Sequence, residues 1–392
     1  MTTATTRFKA KALELETWCR TAALPFWAKA ATDPTGGIYE ELFLSGEPNL
    51  ESTRRVRVQA RHCYVYAHAS AMNWFDGEAI SDHAWQYLTT NGFQGGDNID
   101  GFKGCAHLLN PDGSLNDGLR DTYAQAFVML AGAWRYIAFD DEKALQTAKD
   151  TLKFLDDNLA ADNGGWYEGI PASLPRRQNP HMHLFEALIA LYDATEDRYY
   201  LDRAGQMYDL FTRHFFHESS GSLLEFFTED WTPKTWDKGI NGGPIEPGHM
   251  MEWCWLLYCY AERADKDLSS IADRLYDGAI KTGETGPLGL LCDEHGTSKA
   301  ESCRTWPQTE YIKASVARAS ALPSGPEQDK LLDTTTRVID LMVKTYMNVE
   351  IKGGWIDKVK PDGTVIAPIM PTSTFYHIIC AATETSNLAR NL

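Results

Sequence analysis

Basic residues are scarce in this chain: 37 Lys and Arg stand against 54 Asp and Glu, a formal net charge of −17. That deficit excludes nucleic acid or an anionic membrane as the main partner, since both would be repelled. Long hydrophobic runs are missing too. No apolar stretch approaches a membrane span, and "MTTATTRFKAKALELETWCR" at the N-terminus carries no apolar core of a signal peptide, so a cytoplasmic protein is expected. Eight Cys occur without a C-x-x-C; they are expected to be reduced and mostly buried thiols. There is no G-x-G-x-x-G after a strand, no G-x-x-x-x-G-K-[ST] and no G-x-S-x-G, which leaves dinucleotide, P-loop and nucleophile-elbow chemistry without support.

What is present describes a well-cored globular protein: 43% hydrophobic residues, with Trp 12 and Tyr 17 among 392. A long-period repeat organises it. Gly-bearing segments recur as "TGGIYEELFL", "GFQGGDNIDGFKG", "NGGWYEG", "SGSLLEFFTED", "GPLGLLCDEHG" and "KGGWIDKVKPDG". Each precedes a stretch of helical apolar periodicity, at about 54–76, 118–138, 179–195, 247–264, 305–321 and 371–388. A second helical pattern follows each of the first five, and one near about 7–32 precedes them all. Six helix pairs with short connections on one side and long, Gly-bearing ones on the other predict an all-α (α/α)6 barrel, six inner and six outer helices, as one domain over residues 1–392. An open solenoid is the structural alternative. Connections this long tend to mark a functional face.

At the N-terminal turn of each inner helix one polar residue interrupts the apolar stripe. These are Arg61, Tyr123, His183, His249, Glu310 and His377, separated by 62, 60, 66, 61 and 67 residues. A spacing so close to the repeat predicts six side chains around one ring. A lone inward His is ordinarily a satisfied core residue. Three at equivalent positions with an Arg and glutamates are the composition of an acid/base site. Glu186 and Glu252 follow His183 and His249 at i+3, where a carboxylate can orient an imidazole and stabilise its cation, while the helix N-terminus favours the neutral ring.

Aromatic residues near these positions, Trp166, Trp236, Trp253, Trp306, Trp355 and Phe375, suit a sugar, although most Trp serve as core. A metal competes on paper, because His183, Glu186, His249 and Glu252 could supply two nitrogens and two oxygens. Their order is H-x-x-E, whereas bundle di-metal sites use E-x-x-H with further carboxylates. His181, in "HMH", points away from His183 if helical.

Five motifs resemble those of the N-acylglucosamine 2-epimerase superfamily: "QAR" ending at Arg61, "NPHMHLFEA" from Asn179, "PGHMMEW" from Pro247, "WPQTE" from Trp306 and "YH" at Tyr376 and His377. The resemblance covers nearly the whole chain, and "PGHMMEW" with "QARHCYVYA" is most similar to the aldose-ketose isomerase branch acting on D-mannose and related aldoses such as D-lyxose. It implies an (α/α)6 barrel with no metal or cofactor, acting on a monosaccharide as monomer or homodimer. By the same resemblance His249 and His377 would be the acid/base pair and His183 would assist ring opening or hold a hydroxyl. Arg61 would bind the developing oxyanion, an electrostatic contribution of about 3 kcal/mol. Tyr123, Asn179, Glu186, Glu252, Trp306 and Glu310 would bind sugar or orient the histidines. N-acylglucosamine and cellobiose 2-epimerases are similar but further away. Sulfoquinovose isomerases would need cations, for which Arg57, Arg176, Arg177 and Lys238 are candidates.

Two other classes remain. A glycoside hydrolase would need paired carboxylates, with Asp97, Asp100 and Asp117 as candidates, though loop acids beside Gly and Asn are usually turn formers. A sugar-binding protein without chemistry is the non-enzymatic alternative.

Overall fold

Side-chain caps open the helices after Thr2, Asp121, Asp141, Asp197 and Glu246, and short strands lead into those starting at Val56, Gln178, Thr305 and Thr374. A computed structural model of the chain describes residues 2–94, 104–234 and 243–392. The outer set begins with α1 (Thr3–Trp18), which runs through a π-helical turn, Cys19–Ala23, into α2 (Leu24–Ala30). It continues with α4 (Glu78–Tyr87), α6 (Glu142–Asn158), α8 (Arg198–Leu210), α10 (Ser269–Gly283) and α12 (Pro326–Thr345). The inner set is α3 (Val56–Ala71), α5 (Thr122–Phe139), α7 (Gln178–Thr195), α9 (Pro247–Ala264), α11 (Thr305–Ala321) and α13 (Thr374–Asn391). Each inner helix packs on the next, and α13 packs on α3, so the ring closes. The fold is an (α/α)6 barrel, and the open solenoid is set aside by that closure.

Sequence periodicity overran the helix ends where strands begin. Arg54–Arg55 and Ile369–Pro371 are strands, so α3 and α13 start later than expected. The short turns on the far face end helices with left-handed residues: Asp140, Glu196 and Asp265 have φ of 55°, 57° and 51°. Acidic side chains take the place of the glycine usual at such a position.

The long connections carry six small antiparallel sheets. β1 (Glu41–Phe43) pairs with β13 (Ile369–Pro371), and β2 (Arg54–Arg55) with β3 (Leu108–Leu109) and then β4 (Leu115–Asp117). The others join β5 (Arg176–Arg177) to β8 (Phe226–Phe227), β6 (Phe216–His217) to β7 (Ser222–Leu223), β9 (Glu284–Thr285) to β10 (Leu290–Leu291), and β11 (Cys303–Arg304) to β12 (Lys358–Val359). Side chains from the inner helices tie these connections down. Gln59 bonds both backbone groups of Ile38, Gln125 those of Cys105 and Gln308 those of Leu291, while His181 Nε2 accepts from Trp166 N–H. His181 is thus a fastener pointing away from His183, held neutral by burial with its pKa lowered to about 3.

Trp166, Trp253, Trp355 and Phe375 belong to the apolar core, each 2% exposed or less. Trp253 stacks between Phe185 and Phe211 at centroid distances of 5.4 and 4.5 Å. All eight cysteines are free, and seven are buried. No helix among the described residues is long and apolar enough to cross a membrane.

Candidate active site

The ties set the register of the site. Two positions beyond each tie stand Arg61, Phe127, His183 and Glu310, and two before it stand Arg57, Tyr123, Asn179 and Trp306. The ring expected from equal spacing is therefore two tiers. Tyr123 belongs to the upper one because Phe127, not Tyr123, is the α5 counterpart of Arg61. The tiers still meet: Arg61 Nη2 donates to Tyr123 Oη at 2.9 Å, with its guanidinium 4.2 Å over the Phe127 ring and 4.9 Å from that of Tyr376.

His377 and Glu310 form one dyad, Nδ1 to Oε1 at 2.7 Å, with the carboxylate fully buried. Burial lowers the His377 pKa well below the imidazole range, and the nearby Arg61 and Lys313 cations lower it further. His377 is the neutral ring. His183 Nδ1 lies 3.2 Å from Glu186, which also accepts from Tyr376 O–H at 2.5 Å. Burial outweighs the carboxylates Glu252 and Glu186, and the His183 pKa is lowered as well.

His249 is different, and its partner was not foreseen. Glu252 was the expected carboxylate, but Nδ1 lies 3.1 Å from both oxygens of Glu225, in the connection between β7 and β8. The β5–β8 pairing carries Glu225 to the start of α7, where Gln178 N–H donates to its carbonyl at 3.1 Å. Trp253 Nε1 then donates to Gln178 Oε1 at 2.6 Å, and Gln178 Nε2 to Glu225 Oε2 at 2.9 Å, fixing the carboxylate. Burial opposes protonation of His249, yet Glu225, by charge and hydrogen bond, followed by Glu246 and Glu252, pushes its pKa up to about 10.

Trp306 stands between the two histidines, 5.3 Å from each ring centroid. Gly248 makes room for it: a Cβ there would come within 2.4 Å of the indole. Gly248→Ala should displace the indole, raise KM for the sugar about tenfold and cost roughly 1–3 kcal/mol of stability, as steady-state kinetics beside a melting curve would reveal. An unchanged KM would remove Trp306 from sugar contact.

Glu252 is 1% exposed, and neither oxygen has a hydrogen-bond partner among the described residues. Asn179 Oδ1 is likewise unpartnered. Buried acceptors without donors are unfavourable unless a ligand supplies them. Two trios, His183–Glu186–Glu252 and Glu252–Glu310–His377, bring possible metal-ligand atoms within 4.8 Å of one another. Two of the three carboxylates are already engaged by the protein: Lys313 Nζ is 2.7 Å from Glu310 Oε2, and Glu186 accepts from Tyr376 O–H and lies against His183 Nδ1. His249 belongs to neither trio, so the four donors paired in the sequence do not converge.

Among the cationic candidates, Arg176 is fully buried, donating to the carbonyls of Glu229, Gly164 and Trp166, and is unavailable to a ligand. Arg177 pairs with Glu168 at 2.6 Å. Asp117 accepts from Leu119 N–H at 3.0 Å, a turn former on the exposed surface. Asp97, Asp100, Trp236 and Lys238 lie outside the described residues.

The N-acylglucosamine 2-epimerase profile matches residues 37–381. A protein of Rhizobium meliloti (strain 1021) named mannose-6-phosphate isomerase is 34% identical over 391 residues, 97% of each chain. A D-mannose isomerase of Thermobifida fusca is 27% identical, covering 86% of this chain and 84% of its own. The structure of cellobiose 2-epimerase from Spirochaeta thermophila DSM 6192 superposes with a TM-score of 0.88 at 22% identity, over 100% of this chain and 99% of that one. With its barrel and motifs matched along nearly its entire length, this chain belongs to the N-acylglucosamine 2-epimerase family of sugar isomerases and epimerases.

Proposed function

We propose that the chain is an aldose-ketose isomerase, interconverting D-mannose with D-fructose, and related aldoses such as D-lyxose with their ketoses, by metal-independent proton transfer. The observation that carries this reading is the unlike surroundings of the two histidines flanking Trp306: burial favours a neutral His377, while Glu225, 3.1 Å from Nδ1, favours a cationic His249. Environments that push two groups apart assign the base and the acid. With Nδ1–H given to Glu310, the Nε2 lone pair of His377 takes the C2 proton of the open-chain sugar. Electrons move to O1, where Arg61 offsets the charge and the His249 imidazolium supplies a proton, giving the enediol. His249 then recovers the O2 proton as His377 returns its own to C1. His183 and Glu252 would hold hydroxyls, with Asn179 and Tyr123 at the mouth.

Epimerisation at C2 needs proton donation on the opposite face from removal, and so two rings that both work as bases in turn. A His249 with a pKa of about 10 serves that poorly. The test is a proton and carbon NMR time course of D-mannose in D2O after exhaustive EDTA treatment. Fructose carrying deuterium at C1 is expected. Glucose as first product would move the assignment to a 2-epimerase, and activity only on restoring a divalent ion would turn the Glu252 trios into a metal site.

A second substrate reading has its own observation. Arg57 has no hydrogen bond among the described residues, with Asp121 3.8 Å away and its guanidinium 5.0 Å over the Tyr123 ring at the mouth. The Rhizobium relative bears the name of a mannose 6-phosphate enzyme. Faster turnover of mannose 6-phosphate in the same assay would favour it.

A further inference from the structure

The pocket contains a charged side chain that the proton-transfer scheme does not use. Lys313 on α11 is 0% exposed, one turn beyond Glu310, with Nζ 2.7 Å from Glu310 Oε2 and 3.7 Å from the centroid of the Trp255 ring. A buried ammonium is costly unless answered by charge, and here it has the Glu310 carboxylate, the Trp255 face and, at 5.9 Å, the Tyr376 ring. Its partner is the same carboxylate whose other oxygen meets His377 Nδ1 at 2.7 Å. Lys313, Glu310 and His377 thus form a line from the barrel interior to the proposed base.

We propose that Lys313 is a positioning residue that keeps Glu310 ionised and thereby selects the His377 tautomer with Nε2 free. Burial, with repulsion from Glu252 and Glu186, pushes the Glu310 pKa well above the usual carboxylate range; the Lys313 ammonium, 2.7 Å from Oε2, is the cation set against that rise. A Glu310 carboxylate can only accept, so it takes Nδ1–H and leaves the Nε2 lone pair for a substrate proton. A Glu310 carboxylic acid would instead donate to Nδ1. The ring proton would then sit on Nε2, and His377 could remove nothing. Lys313 acts through Glu310 without touching sugar, and the inference rests on His377 being the base proposed above.

Lys313→Met removes the charge and keeps most of the stem. Glu310 should then ionise only at higher pH, moving the low-pH limb of kcat/KM upward by about one pH unit or more. Activity at neutral pH should fall on the order of 100-fold and recover in part as the pH rises. A merely structural lysine would change the yield of folded protein and leave the limb where it is, and an unmoved limb in folded variant overturns the proposal. Should the variant not fold, the wild-type chain still decides. In 15N-histidine spectra, the imidazole lost in His377→Asn should show the proton on Nδ1 at neutral pH, and a proton on Nε2 would overturn the proposal. That spectrum needs no substrate. A failed mannose assay beside an Nδ1–H spectrum would therefore count against the isomerase reading and not against Lys313.

Discussion

His377→Ala should lower kcat for mannose isomerisation by about 10³–10⁴-fold, the upper range for loss of a general base, while the barrel stays folded. The fold survives because the substitution strands no charge: Glu310 keeps its ion pair with Lys313. His249→Ala, which removes the proposed acid, should cost a comparable factor, and Glu225 then retains the Gln178 amide as a partner. Single-turnover rates with mannose, set beside melting curves, separate the two effects. Either variant keeping a tenth of the wild-type kcat would remove that histidine from the chemistry.

Glu225→Gln should move the alkaline limb of the pH profile by several units. In the wild type the base must be unprotonated, so activity rises as pH climbs past the depressed pKa of His377 and is already full near neutrality. The acid must be protonated, so activity declines above about 10, where His249 loses its proton. Without the Glu225 charge, burial dominates and His249 becomes neutral at lower pH. At about pH 8 the variant should be slower by on the order of 100-fold and regain rate on acidification. Profiles of kcat/KM for the two proteins test this; coincident alkaline limbs would detach Glu225 from His249.

The barrel was legible because its signal is repeated: six Gly-bearing connections, each followed by a helical stripe, leave few other ways to bury so many apolar faces. The inward histidines were legible for the same reason, as polar interruptions on apolar helices. Glu225 was not, because it lies in a connection without periodicity; its one signal was a carboxylate between Leu224 and Phe226, where a solvated acid is unexpected. Lys313 gave no signal in the sequence, because a single helical lysine is ordinarily surface charge. The two tiers escaped equal-spacing arithmetic because the repeats differ in length, so a near-constant interval placed Tyr123 about one turn from Arg61's true counterpart, Phe127. The tryptophans follow the expectation that most serve as core: among the described ones named, Trp306 faces the histidines and the rest fill the core.

Closure of the ring between α13 and α3 has a consequence for how the molecule is made. Arg61 and His377, the proposed oxyanion donor and base, lie on the two helices of that seam, where Arg61 Nη1 reaches the Ser373 carbonyl at 3.5 Å over 312 residues of chain, and β1 and β13 pair beside it. Helix pairs are local and form early, whereas contacts this distant in sequence form late because of the loop entropy they must overcome. A chain can therefore hold most of its helices and still have no working site, and catalytic competence is acquired in the same late event that turns an open row of hairpins into a ring.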